Sequence, residues 1–277
     1  MFPPEKILFP VDFSERCTAA ARMAETFAGH FQAELTLLHV VEPLTCNDVP
    51  ADLNALGERQ LSGYLVEELK QLDVKRVLLH GDPSSQILEY AQSRNFDLIM
   101  LPTHGYGKFR RLILGSVTGN VLHEALCPVW TGVHMEQVPR LEDIAFRKIL
   151  CALDLGPQSC PALSWAKKFA SEFGADLQIV HVIPETTKDT AFADYAEEKL
   201  LAQAEERIRD AQQSMGLDAT VTVLAAGDAP RAICTLANQE KADLLVIGRS
   251  VHGGFAGRLR ANAYVIIRQS PCAVVSV

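Results

Sequence analysis

Apolar and polar positions follow two alternating rhythms along this chain. Short, nearly unbroken apolar runs occur at residues 7–11, 34–41 ("ELTLLHVV"), 74–80 ("VKRVLLH"), 96–101 ("FDLIML") and 127–133 ("CPVWTGV"). Between them, apolar and small residues recur at helical spacing over 14–27, 52–72, 84–93 and 116–126. Ser14 suits the N-cap of the first helix, and Pro83 precedes the third. Strands that are apolar on both faces, alternating with helices, predict a parallel sheet covered on both sides.

The same rhythm is then written again. Lys6-Ile7-Leu8 returns as Lys148-Ile149-Leu150, Asp12 as Asp154, and His39-Val40 as His181-Val182. Gly81-Asp82 returns as Gly227-Asp228, and Asp97 as Asp243. A period of about half the chain is too long for a solenoid unit and means two copies of one domain. The expected domains are residues 1–139 and 144–277, with a long helix at 191–215 in the second.

One stretch breaks the rhythm. "MLPTHGYGKFRRLILGSVTG" (100–119) places two glycines, a histidine and basic residues between an apolar run and a helical one. Backbone N–H groups at a helix start have no internal partner and carry partial positive charge, so such a loop suits an anion. In open α/β sheets ligands sit at the carboxyl ends of strands, where strand order reverses. If the first and fourth strands are neighbours, Asp12, Val40 and the loop from Thr103 to Ser116 share one crevice.

Charge and cysteines narrow the classes. The formal net charge is −8, which argues against a general nucleic-acid binder. Seven cysteines, several among apolar neighbours, read as reduced thiols rather than a disulfide framework. The N-terminal "MFPPEKILFPVDF" lacks the pattern of a secretion signal. No apolar run approaches the roughly 18 residues of a membrane span. A cytoplasmic protein is expected. There is no Gly-x4-Gly-Lys-Ser/Thr, no Gly-x-Ser-x-Gly and no metal-ligand spacing, so neither catalytic nor metal-binding residues are assigned.

"ILFPVDFS", "LLHVVEP", "HGDP", "THG" and "LILGSVTGNVLHEALCPVW" together resemble a universal stress protein domain, and the likeness runs through both halves. The resemblance implies, for each domain, a five-stranded parallel sheet of order 3-2-1-4-5 with helices on both faces. It implies ATP or AMP, with or without Mg²⁺, held through Gly-x2-Gly-x9-Gly-Ser/Thr after the fourth strand. Here Pro102 stands at the first glycine, Gly105 at the second, and Gly115-Ser116 at the end. By the same likeness Asp12 lies near the adenine and the Val40 backbone contacts the base. Gly105, Gly115, Ser116 and Val117 match phosphate positions, and Thr103 and His104 complete the loop. In the second half Gly248 matches the first glycine, but Arg260-Ala261-Asn262 replaces Gly-Ser, which implies a degenerate site. The resemblance also implies an internal pseudo-dimer through the last strands, and leaves room for a homodimer.

The residues keep plainer readings beside these. Asp12 and Asp154 suit helix caps, His39 and His181 a structural role common to both halves, and Lys108, Arg110 and Arg111 a solvated loop face. The expected function is a nucleotide-binding sensor or regulator of the stress response, with slow ATP hydrolysis or autophosphorylation at most. The alternative is a scaffold, adaptor or small-ligand binder whose nucleotide sites have decayed.

Overall fold

In the computed structural model the chain divides into two units, Met1–Ala145 and Phe146–Val277. The described residues are 2–42, 51–102, 114–132, 144–185, 193–249 and 261–277.

In the first unit the apolar runs become β1 (Lys6–Pro10), β2 (Glu34–Val41), β3 (Val74–His80), β4 (Leu98–Pro102) and β5 (Val129–Gly132). The helices are α1 (Glu15–Phe31), α2 (Ala51–Gly63), α3 (Pro83–Ser93) and α4 (Ser116–Glu124). The strands are parallel in the order β3-β2-β1-β4-β5. Ile7, Leu8 and Phe9 of the central strand are fully buried, which requires cover on both faces. Phe27 of α1 packs edge-on against Trp130 of β5 at 4.6 Å between ring centres.

The second unit repeats the plan. Its strands are β6 (Lys148–Leu153), β7 (Asp176–Ile183), β8 (Thr220–Ala225), β9 (Leu244–Ile247) and β10 (Ala273–Ser276). Its helices are α5 (Ser159–Phe173), α6 (Ala193–Met215), α7 (Ala229–Gln239) and α8 (Ala261–Gln269). The parallel order is β8-β7-β6-β9-β10. Paired carboxylates set the register of the central strands: Asp97 accepts the Glu5 and Lys6 N–H groups, and Asp243 those of Arg147 and Lys148.

The expected helix over 52–72 is shorter in the structure. It ends at Gly63, Leu65 takes a left-handed backbone (φ 54°), and turns follow to residue 71. Arg76 on β3 reaches back and donates to the carbonyls of Leu61 and Tyr64 at 3.1 Å each, serving the orphan acceptors of that helix end. Leu65 and Leu69 remain buried, so the apolar spacing persists after the helix stops.

Candidate functional site

The chain reverses direction across the sheet at β1. Ile7 and Leu8 pair with Leu98 and Ile99 of β4 on one side, and β1 pairs with β2 on the other. The carboxyl ends of β1 and β4 are therefore the walls of a switch-point crevice.

The β1 wall is a tight turn. The Val11 N–H donates to the Leu38 carbonyl at 2.8 Å, carrying the pairing just past the strand. Asp12 then turns the chain: its Oδ1 accepts the Ser14 N–H at 3.0 Å and the Cys17 thiol at 3.0 Å. Phe13 is left-handed (φ 60°), an uncommon state for a bulky residue. Its ring is held between His39, 4.3 Å away, and Tyr64, 5.0 Å away. Ser14 caps α1 by accepting the Cys17 N–H. His39 Nδ1 donates to the Val11 carbonyl at 2.8 Å, which fixes the ring and its tautomer.

Two titratable neighbours stay protonated. Burial pushes the Cys17 thiol up, and the adjacent Asp12 carboxylate adds to the effect. Burial also raises the Tyr64 phenol to about 12. The Tyr64 hydroxyl donates to the Ser14 carbonyl at 3.3 Å and pairs with Thr18 at 3.1 Å.

The β4 wall ends at Pro102, whose carbonyl accepts the Thr118 hydroxyl at 3.2 Å and ties the start of α4 to the strand. The N-cap of α4 is Gly115, which offers no side-chain cap. Its carbonyl accepts the Gly119 N–H at 2.8 Å, closing the first helical turn. The N–H groups of Ser116, Val117 and Thr118 thus have no partner within the helix. In contrast, Ser14 caps α1 and Asp82 caps α3 with side-chain oxygens.

Between these walls lies a cavity of about 280 Å³. Asp12, Val40, Pro102, Gly115, Ser116 and Val117 all line it, so six of the nine expected site residues meet at one place. Thr103, His104 and Gly105 lie outside the described residues, as do Lys108, Arg110 and Arg111. The reading of the sequence omitted Cys17, the apolar wall formed by Leu38, Ile87 and Leu101, and Tyr64 behind the turn. The thiol on an alanine-rich helix looked like packing, and only the folded turn brings it to Asp12. Among the described residues no group of three His, Cys, Asp or Glu side chains is placed to hold a metal ion. Nor does any described helix have the length and apolarity to cross a membrane.

The second unit builds the same turn. Asp154 Oδ1 accepts the Gly156 N–H at 2.8 Å and the Ser159 hydroxyl at 3.2 Å. Leu155 is left-handed (φ 56°), and His181 Nδ1 donates to the Leu153 carbonyl at 2.7 Å. Gly248 stands at the position of Pro102, hard against the start of α5. A Cβ there would lie 3.0 Å from Gln158 Cβ and 3.2 Å from its carbonyl oxygen. Arg260 lies outside the described residues.

The universal stress protein family model matches residues 4–131 and again 145–277. A universal stress protein of Mycolicibacterium smegmatis is 27% identical over 98% of this chain and 96% of its own. One from Methanocaldococcus jannaschii is 32% identical over 45% of this chain and 79% of its own. The crystal structure of a universal stress protein from Archaeoglobus fulgidus covers 99% of this chain and 98% of its own, at 21% identity and a TM-score of 0.75. The chain belongs to the universal stress protein family, as a tandem of two domains.

Proposed function

We propose that the first domain of this universal stress protein binds an adenine nucleotide, ATP or AMP, and that occupancy of the site is its regulatory output in the cytoplasmic stress response. The base rests between Asp12 and the Val40 backbone, against the apolar wall of the cavity. The phosphates lie at the start of α4. The observation that carries this reading is the glycine cap of α4, open at the mouth of the cavity opposite Asp12. N–H groups that have no partner within the helix, and the positive end of the helix dipole, favour an anion there. The loop that precedes α4 in sequence is rich in basic residues, which adds to the same field.

Binding without turnover fits the side chains. Cys17 and Tyr64 are held protonated: the Asp12 carboxylate that takes the Cys17 thiol bond opposes a thiolate rather than favouring one, and burial does the same for the Tyr64 phenol.

The test is calorimetry of the full chain with ATP, with and without Mg²⁺, on the wild type and on Gly115→Arg. That substitution copies Arg260 into the first domain. Saturable binding in the wild type, lost in the variant, is expected. A wild type that binds no ATP overturns the reading and favours a scaffold or adaptor, for which Pro102, a residue with no N–H to offer a ligand, already speaks.

A further inference from the structure

We infer that Cys17 is a positioning residue for base recognition: its thiol holds one oxygen of Asp12 so that the other is presented to the ligand. The inference rests on the proposed nucleotide site and deepens it.

The geometry is that of a carboxylate pinned from two directions. Among the described residues, the hydrogen bonds to Asp12 both arrive at Oδ1, from the Ser14 N–H and from the Cys17 thiol. The backbone donor comes from within the turn. The thiol comes from the first turn of α1, where side chains tilt back toward the helix start and so toward Asp12. With Oδ1 engaged twice, rotation of the carboxylate costs two bonds, and Oδ2 keeps a constant direction. Both Asp12 and Cys17 line the cavity.

Three features suit Cys17 to this role. It is 1% exposed, so its S–H is directed at Asp12 within the protein rather than at solvent. Burial and the Asp12 charge keep it protonated, so the S–H persists at neutral pH. And the second domain shows the chemistry that can substitute: Ser159, also five residues after its aspartate, donates a hydroxyl to Asp154 Oδ1. The position calls for a donor rather than for sulfur.

A fixed acceptor oxygen selects ligands by what they present to it. Adenine carries an exocyclic amine, a donor. Hypoxanthine carries a carbonyl at the same place, which a carboxylate oxygen repels. An Asp12 free to swing would tolerate both.

The experiment measures dissociation constants for ATP and inosine triphosphate on the full chain as wild type, Cys17→Ala and Cys17→Ser. Cys17→Ala is expected to weaken ATP about three- to tenfold, as for one lost hydrogen bond, and to narrow the preference for ATP. Cys17→Ser is expected to restore both. An alanine variant with unchanged affinity and preference overturns the inference while leaving the nucleotide site standing. So does a serine variant as impaired as alanine, since that would show packing rather than donation. A wild type that binds neither nucleotide fells the site and this inference together. Should Cys17→Ala not fold, the S–H stretching band settles the matter. A band at hydrogen-bonded frequency in the wild type, absent from Cys17→Ser, is expected with and without ATP. A free-thiol frequency overturns the role.

Discussion

The turns after β1 and β6 are one device in two settings. Each has an aspartate whose Oδ1 takes a backbone N–H two residues on and a side-chain donor five residues on. Each follows it with a left-handed residue, Phe13 or Leu155, and each is latched by a histidine Nδ1 to the preceding carbonyl. The settings differ in what faces the turn. In the first domain Pro102 and the start of α4 stand back to leave a cavity. In the second, Gly248 lies against Gln158. The aspartate and histidine therefore mark a strand-to-helix turn that the fold needs in both halves. The opening across from them in the first domain, with a glycine-capped helix at its mouth, is the feature on which the proposed nucleotide site rests.

The largest effect expected from this contrast is on stability. Gly248→Ala would press a methyl group against Gln158 at 3.0 Å and against its carbonyl oxygen at 3.2 Å. Overpacking of this kind costs about 1–3 kcal/mol, which urea unfolding followed by circular dichroism would resolve. A variant as stable as the wild type would show that the start of α5 gives way easily, and that the contact does not separate the two halves.

The matching change in the first domain tests affinity instead. Pro102→Ala restores an amide hydrogen at the cavity wall. One additional hydrogen bond is worth about 0.5–1.5 kcal/mol, so ATP is expected to bind roughly two- to tenfold more tightly in calorimetry. Unchanged affinity would mean that the ligand makes no use of a donor there.

What could be read from the sequence follows the range of the interactions. β2 matches its apolar run residue for residue, because burial on both faces of its first half is written locally in residue type. The strand order came from family resemblance, and the meeting of Asp12 with Gly115 depended on it. The break in the helix after Gly63 was hidden, because Leu65 and Leu69 preserve helical spacing while Arg76, a strand away, serves the broken end. Phe13 gave no sign of its positive φ, since nothing about a phenylalanine announces the left-handed region. Gly248 matches a ligand-side glycine by resemblance, and nothing local in the sequence shows that a Cβ there would stand 3.0 Å from Gln158 Cβ. In each case the deciding partner lies far along the chain or depends on backbone shape.

The smallest expected effect concerns the helix caps on the strands' carboxyl side. Asp82 caps α3 with one oxygen that accepts the Ser85 N–H at 2.9 Å, the Ser85 hydroxyl at 2.7 Å and the Ser84 hydroxyl at 2.8 Å. Its counterpart Asp228 accepts the Arg231 N–H at 3.1 Å to cap α7. The Ser85 hydroxyl, the Ser85 N–H and the Ser84 hydroxyl hold the Asp82 carboxyl below the usual carboxylate range. A carboxyl with a lowered folded-state pKa adds stability that is fully present above its unfolded value, near about 4, and lost as pH falls through the folded one. Asp82→Asn should therefore lose less stability than the wild type as pH falls below about 4. Asp82 is fully exposed, so solvent screening keeps the difference small. Parallel acid unfolding curves for the two proteins would show that the three donors fix the geometry of the cap without coupling it to pH.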